Sequence, residues 1–263
     1  MTNRTFPWRP TIRECALVTG PTGSGKSTTL YASLMELDTK ARNAVTLEDP
    51  IEYELRGISQ TQINTRKGMT FASGLRSILR QDPDIIMLGE IRDTETAVMA
   101  IQASLTGHMV FSTLHTNDAA SAVTRLLDLG IEPYLVASSL LAVLAQRLVR
   151  TICPHCKYAC EPTSTAHELL RDFVSGPESF AIFHGNGCEQ CRGTGYRGRL
   201  GVFELLTIDD QVQSLITQRA SATEIRTMAL NHGMVPMRSD GLRKVLFGKT
   251  TIEEIVRVTV EVD

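Results

Sequence analysis

No stretch of the 263 residues approaches the ~20 consecutive apolar residues that a membrane-spanning helix needs. The most apolar segment, residues 135–149, is interrupted by Ser138, Ser139, Gln146 and Arg147. The opening MTNRTFPWRP lacks the apolar core of a secretory leader. Charge of one sign is missing too: 27 Lys and Arg face 29 Asp and Glu, a formal net charge of −2. That balance argues against a protein whose main business is coating nucleic acid. There is no internal repeat and no low-complexity tract, and Pro7 to Pro10 is the only linker-like text. These absences predict a cytoplasmic location, where disulfides are rare. Its six cysteines therefore need another explanation.

At 42% hydrophobic and 21% charged, the composition is that of an ordinary globular protein. The length suits one large domain or one and a half ordinary ones, with a core that needs no disulfide support. Through about residue 140, short apolar runs alternate with helical periodicity, which predicts a mostly parallel α/β sheet. Cys15 to Thr19, Ala44 to Leu47, Asp84 to Leu88 and Met109 to Leu114 read as strands. Lys26 to Leu37 reads as a helix, and Thr70 and Thr94 as caps of two more. From Asp118 to Val149 the pattern is helical, broken at Gly130 and Pro133. Residues 151–200 change character, holding four cysteines, several glycines and little periodicity. They read as a loop-rich module. From residue 207 the text is helical again, with starts predicted at Thr207 or Asp209, at Ser221, at Asp240 and at Thr250 or Thr251.

Gly20-Pro21-Thr22-Gly23-Ser24-Gly25-Lys26-Ser27-Thr28 matches G-x-x-x-x-G-K-[ST] between a predicted strand and a predicted helix. Such glycines let backbone N–H groups turn inward around phosphate oxygens, and the helix N-terminus adds partial positive charge. Lys26 is expected to reach the β- and γ-phosphates of ATP, and Ser27 to bind Mg²⁺. A parallel sheet gathers its ligand at the carboxyl ends of its strands. Four strands end in polar residues: the phosphate loop, Glu48-Asp49, Gly89-Glu90 and His115. All four sets should meet at one edge.

The run Asp84-Ile-Ile-Met-Leu-Gly89-Glu90 has the shape of a Walker B strand, with Glu90 at the delivering end and Asp84 at the wrong end for the metal. Glu90 and Glu48 are both candidates for polarising the attacking water, and Glu90 also for the Mg²⁺ shell; spacing does not divide the roles. His115 is placed to sense the γ-phosphate. His108, opening the same strand, reads as a structural or interface residue. Arg76, Arg80 and Arg92 are contacts to phosphates or to a neighbouring subunit, or else solvated helix faces.

Cys153-Pro-His-Cys156 and Cys188-Glu-Gln-Cys191 are two CxxC pairs with 31 residues between them. Two such knuckles complete a tetrahedral Zn²⁺ site whose closed shell makes the metal structural. A redox pair is the alternative chemistry, and His155 and Cys160 are alternative ligands. Cys188 to Gly195 also resembles, in one copy only, the zinc repeats of DnaJ-type co-chaperones. Cys15 reads as a small core residue.

Together these motifs resemble the secretion "traffic" ATPases of type II secretion and type IV pilus assembly. Gly20 to Leu30 is similar to that family's phosphate loop, Leu47-Glu-Asp-Pro-Ile-Glu52 to its Asp box, and Asp84 to Asp93 to its atypical Walker B. Thr106-Gly-His108 through His115-Thr-Asn-Asp118 resembles its His box. The tetracysteine segment closing with Gly195-Tyr-Arg-Gly-Arg199 resembles the assembly and export branch, since retraction ATPases usually lack those cysteines. The resemblance implies a RecA-like P-loop domain in a homo-hexameric ring, coupled to an inner-membrane platform protein at the cytoplasmic face. It raises Glu48, Glu90, His108 and His115 as site residues. Separately from the resemblance, the near-neutral charge and the lack of a basic patch count against a nucleic-acid partner.

The implied division is a short segment 1–19, a RecA-like core 20–150, a zinc module 151–200 and a helical region 201–263 packing on the core. Family members carry a further domain ahead of the phosphate loop, which supplies arginines to the γ-phosphate; nineteen residues precede Gly20 here. The chain alone is therefore expected to bind nucleotide and turn it over slowly. A RecA-like DNA-dependent ATPase or helicase, a retraction-type ATPase and a non-catalytic ring component remain the competing readings.

Overall fold

Apolar runs flanked by turn residues become the strands of one sheet. In the computed structural model, which describes residues 14–38, 41–174 and 180–259, β1 (Cys15–Thr19) leads into α1 (Lys26–Met35), β2 (Ala44–Glu48) and β3 (Ser59–Gln62). Next come α2 (Phe71–Ile78), β4 (Ile85–Leu88), α3 (Thr94–Leu105), β5 (Met109–Leu114), α4 (Ala119–Asp128) and α5 (Pro133–Ser139). A long β6 (Leu140–Ile152) is followed by β7 (Lys157–Cys160), α6 (Ser164–Leu170), β8 (Ile182–Gly185) and β9 (Tyr196–Thr207). Helices α7 (Asp210–Thr217), α8 (Ala222–Asn231), α9 (Met237–Leu246) and α10 (Ile252–Thr259) complete the described chain. The N-terminal leader reading and Pro7 to Pro10 lie outside the described residues.

The sheet runs β3-β2-β4-β5-β1-β6-β9. Neighbours are parallel throughout except β6 and β9, which are antiparallel. Parallel strands are covered on both faces, so alternate residues feed two cores. Cys15, Leu17, Ile86, Leu88 and Val110 pack toward α2 to α5 and the C-terminal helices. Ala16, Val18, Ile85, Met87, Met109 and Phe111 pack against Leu30, Tyr31 and Leu34 of α1. The expected parallel-rich α/β architecture is present.

The structure departs from the predicted elements at three places. The helical pattern predicted to Val149 ends at Ser139, and Leu140–Ile152 is a strand between β1 and β9. A run that is apolar on both faces cannot be told from a buried helix by periodicity. The loop-rich reading of residues 151–200 also gives way at its end. Tyr196 opens β9, which pairs from Ile152↔Tyr196 to Ala142↔Thr207. The small β7–β8 sheet and its knuckles are thus an excursion between two paired strands of the main sheet. Finally, β3 was not foreseen: SQTQ at the sheet edge is polar and leaves no apolar signature.

Several caps stand as read. Thr70 forms a capping box with Ser73, Asp209 caps α7, and Ser221 and Glu224 form a box on α8. Others shift by a few residues. Asp93 rather than Thr94 caps α3, accepting from the Thr96 amide at 2.8 Å. Helix α9 begins at Met237, and Asp240, within it, instead accepts the Phe203 N–H of β9 at 2.9 Å. Among the described residues, no helix is long and apolar enough to cross a membrane.

Candidate nucleotide site and cysteine centre

The phosphate loop needs glycine at two points for different reasons. Gly25 caps α1 with φ 88°, in the left-handed region that costs glycine nothing. At Gly20, φ is 144° and an added Cβ would lie 2.3 Å from the Gln146 carbonyl oxygen. The loop therefore presses directly on β6. Lys26 Nζ donates to the carbonyls of Gly20 (2.8 Å) and Pro21 (3.1 Å). Burial pushes the Lys26 ammonium below the ordinary lysine value, opposed by the nearby Glu90 and reinforced by Arg147.

A cleft of about 540 Å³ opens at the carboxyl ends of the parallel strands. Thr22, Gly23, Gly25, Lys26, Ser27 and Thr28 line one side, and Glu48, Asp49, Glu90, Arg92 and His115 line another. The four polar strand ends thus converge as the topology requires. Gly20 and Pro21 contribute through their carbonyls, and Ser24 lies buried beneath the loop. Asp84 accepts the Asn43 amide at 2.7 Å at the opposite end of β4. His108 Nδ1 contacts the Ala103 carbonyl at 2.8 Å, also away from the cleft. Arg76 pairs with Glu95 on an exposed face, whereas Arg92 reaches into the cleft.

The two glutamates are held differently. Glu90 pairs with Arg92 and lies 3.4 Å from His115 Nε2. Glu48, buried at the end of β2, accepts hydrogen bonds from the hydroxyls of Tyr31 and Thr46 and from Gln60 Nε2 (3.0 Å). Ser27 and Glu90 offer a hydroxyl and a carboxylate in one cleft, the hard oxygen donors that magnesium takes.

Sequence reasoning passed over Gln146 and Arg147. Gln146 donates from Nε2 to the Ser24 carbonyl (2.7 Å) and accepts from the Thr29 hydroxyl (2.7 Å), holding the phosphate loop from behind. Arg147 Nη2 donates to Asn117 beyond His115. A signal existed: both are polar residues inside the most apolar run of the chain, which buries polar groups only with partners. Tyr31 and Gln60 carried no such mark.

The four cysteines meet as well. The sulfurs of Cys153, Cys156, Cys188 and Cys191 lie within 4.8 Å of one another. Individual separations are 3.9 Å (Cys153–Cys188), 3.8 Å (Cys156–Cys191) and 3.7 Å (Cys188–Cys191). A Zn–S bond of about 2.3 Å implies a tetrahedron edge of about 3.8 Å, so the set fits Zn²⁺ closely. Burial alone would raise the Cys191 thiol, but the amides of Cys188 (3.1 Å) and Gly195 (3.3 Å) donate to its sulfur and bring it down to about 6. Cys160 sits instead at the end of β7 in the β7–β8 sheet, facing the Ile182 carbonyl, and neither it nor His155 belongs to the cluster. Cys15 is fully buried in the core, and burial pushes its thiol up to about 12.

A glycine-rich strand–loop–helix cradle at the carboxyl edge of a parallel sheet defines the P-loop nucleotide-binding class. Residues 11–257 match the family model described as "Type II/IV secretion system protein", and the chain belongs to that family. It is 56% identical over 245 residues to the type II secretion system protein E of Aeromonas hydrophila, covering 93% of this chain and 48% of that protein. It is 51% identical over 245 residues to the type IV pilus assembly ATPase PilB of Thermus thermophilus, covering 93% and 28%. The chain thus spans half or less of these relatives. Among solved structures, the pilus retraction motor PilT with bound ADP matches with TM-score 0.67 and 28% identity, over 94% of this chain and 61% of that one. The Legionella pneumophila ATPase DotB, at TM-score 0.69 and 24% identity over 96% and 61%, shares the fold. The resemblance read from the motifs is borne out at the level of family and fold.

Proposed function

We propose that the chain is the ATP-hydrolysing motor part of a machine for type II secretion or type IV pilus assembly. The observation that carries this reading is the convergence of Lys26, Ser27, Glu48, Glu90 and His115 on one cleft beside the phosphate loop. Loop amides and Lys26 bind and orient the phosphates. Ser27 and Glu90 hold Mg²⁺, which neutralises phosphate charge when bound with ATP. His115 and Arg92 lie beside Glu90, where they report on the γ-phosphate. Glu48, ringed by neutral donors, takes the proton of the attacking water. Catalysis here is positioning and electrostatics, with no covalent enzyme intermediate.

Residues 20–152 together with strand β9 act as the motor core, the excursion between β6 and β9 as a module held by structural Zn²⁺, and α7 to α10 as helices packed on the core. The working unit is a homo-hexamer that acts on a platform protein at the cytoplasmic face of the inner membrane. Its high identity to secretion and pilus-assembly proteins, together with the tetracysteine set, favours export or extension over retraction. Measuring ATP hydrolysis with and without Mg²⁺ and DNA tests the reading. Mg²⁺-dependent turnover that is lost in Lys26→Ala supports it. Strong stimulation by DNA overturns it in favour of a nucleic-acid motor, and nucleotide binding with no turnover favours a non-catalytic ring component.

A further inference from the structure

Glu48 and Glu90 face the same cleft but are held in opposite ways. Glu90 is matched by the cation of Arg92 and by His115. Glu48 is 3% exposed and is held by three neutral donors. The Tyr31 hydroxyl donates to Oε2. The Thr46 hydroxyl and Gln60 Nε2 both donate to Oε1. A carboxylate offers roughly four acceptor positions, two on each oxygen. Oε1 has both positions used, and Oε2 has one. The position left open belongs to the oxygen that Tyr31 holds.

Tyr31 itself is rigidly placed. It lies on α1, the helix that also carries Lys26 and Ser27, and its side chain is 1% exposed. Its ring meets Tyr53 edge-on, with centroids 4.6 Å apart and planes at 88°. Its oxygen accepts the Glu52 amide at 3.3 Å. Burial first, and then the bond to Glu48, push the phenol up to about 12, so it remains a donor throughout the physiological range. One hydroxyl therefore links the phosphate-loop helix to the strand end that carries Glu48.

We propose that Tyr31 is a positioning residue, fixing the Glu48 carboxylate so that one Oε2 acceptor position stays open for the attacking water. The inference rests on the hydrolysis reading above, with Glu48 as the proton acceptor. In that step the water oxygen bonds to the γ-phosphorus. The bond from that phosphorus to the β–γ bridging oxygen breaks, and its electron pair leaves with ADP. The water proton passes to Glu48 Oε2.

Tyr31→Phe in the full chain removes the hydroxyl and keeps the ring. The expected result is a fall in kcat of about ten- to a hundred-fold, the size of a lost hydrogen bond to a charged group. KM for ATP and affinity for ADP should stay within about twofold, because the hydroxyl touches the carboxylate and not the phosphates. The same change in a Glu48→Gln background should cost nothing further, whereas in a Glu90→Gln background it should cost its full factor. A turnover-free measurement runs beside it: the preference for ADP–fluoroaluminate over ADP, with Mg²⁺, should fall by the same factor. An unchanged kcat in Tyr31→Phe, or a full multiplicative loss in the Glu48→Gln background, overturns the proposal alone. A wild-type chain with neither turnover nor preference for ADP–fluoroaluminate overturns the hydrolysis reading and this proposal with it.

Discussion

The phosphate corner and the cysteine centre both gather distant residues, but by different physical means. At the corner, Lys26 and Glu48 arrive on α1 and β2, and Glu90 and His115 just beyond the ends of β4 and β5. Strand register and two apolar cores set their spacing before any ligand enters. At the centre, two knuckles flank a short β7–β8 sheet with little apolar burial of its own. There a Zn²⁺ held by the four sulfurs would supply the stability. The lesson is a double dissociation: damage at the corner should remove activity and spare the fold, and damage at the centre should do the reverse.

The largest effect should follow from breaking the centre. Cys153→Ser or Cys191→Ser, or strong chelation, should leave less than half a Zn²⁺ per chain by metal analysis. The unfolding midpoint should drop by about 10 °C or more, since structural zinc contributes several kcal/mol. ADP affinity should hold within about threefold, as expected for distant sites. Loss of ADP binding in parallel would collapse the comparison. At the corner, Lys26→Ala should lower kcat/KM by roughly 10²–10³-fold, the scale of a lost preorganised charge contact. Its midpoint should shift by no more than about 2 °C.

Strand β6 belongs to both regions, since Gln146 clasps the phosphate loop and Ile152 leads into Cys153. Glu254 of α10 braces it between those points. Its carboxylate accepts the Arg150 amide (2.7 Å), the Arg150 guanidinium (2.9 Å) and the Arg257 guanidinium (2.8 Å). Burial alone would raise this carboxyl, yet the arginine donors bring it down to about 2. Because the folded value lies below the unfolded one, the stabilisation is complete above about pH 4.5 and disappears as pH falls toward 2. Glu254→Gln should cost about 1–3 kcal/mol near neutrality and flatten the acid limb of a stability–pH curve. It should also soften Zn²⁺ retention and ADP affinity together, which neither terminal lesion does. The smallest effect belongs to Asp209→Ala, which removes the α7 cap that accepts from Gln211 and Val212. About 1 kcal/mol, or some 2–4 °C in the midpoint, is expected, with both sites untouched.

How legible each region was follows from the range of the interactions involved. Gly20 to Thr28, Glu90 and the four cysteines announce themselves because local spacing already encodes their geometry. The convergence of Glu48 and His115 was legible through one topological rule, that parallel strands deliver their ligands at their carboxyl ends. Strand β6 was not legible. A thirteen-residue run buried on both sides carries the same apolar text as a helix, and only its neighbours β1 and β9 settle the matter. Gln146 was misread for that reason: placed on a helix, it had no route to the phosphate loop. Tyr31 was invisible in a different way, since its ring is ordinary core and its hydroxyl acquires meaning only beside Glu48.

By itself, then, the sequence determined the phosphate cradle, the metal-type cysteine spacing, the parallel-rich class and the family, all of which rest on residues close together in the chain. The tertiary structure alone decided that residues 140–207 close the sheet, with the cysteine module as an excursion from it. It also decided that Gln146 locks the loop, and that Glu48 and Glu90 are held in unlike surroundings. Those outcomes depend on which strands become neighbours, and that choice is made by burial summed over the whole core rather than by any local pattern.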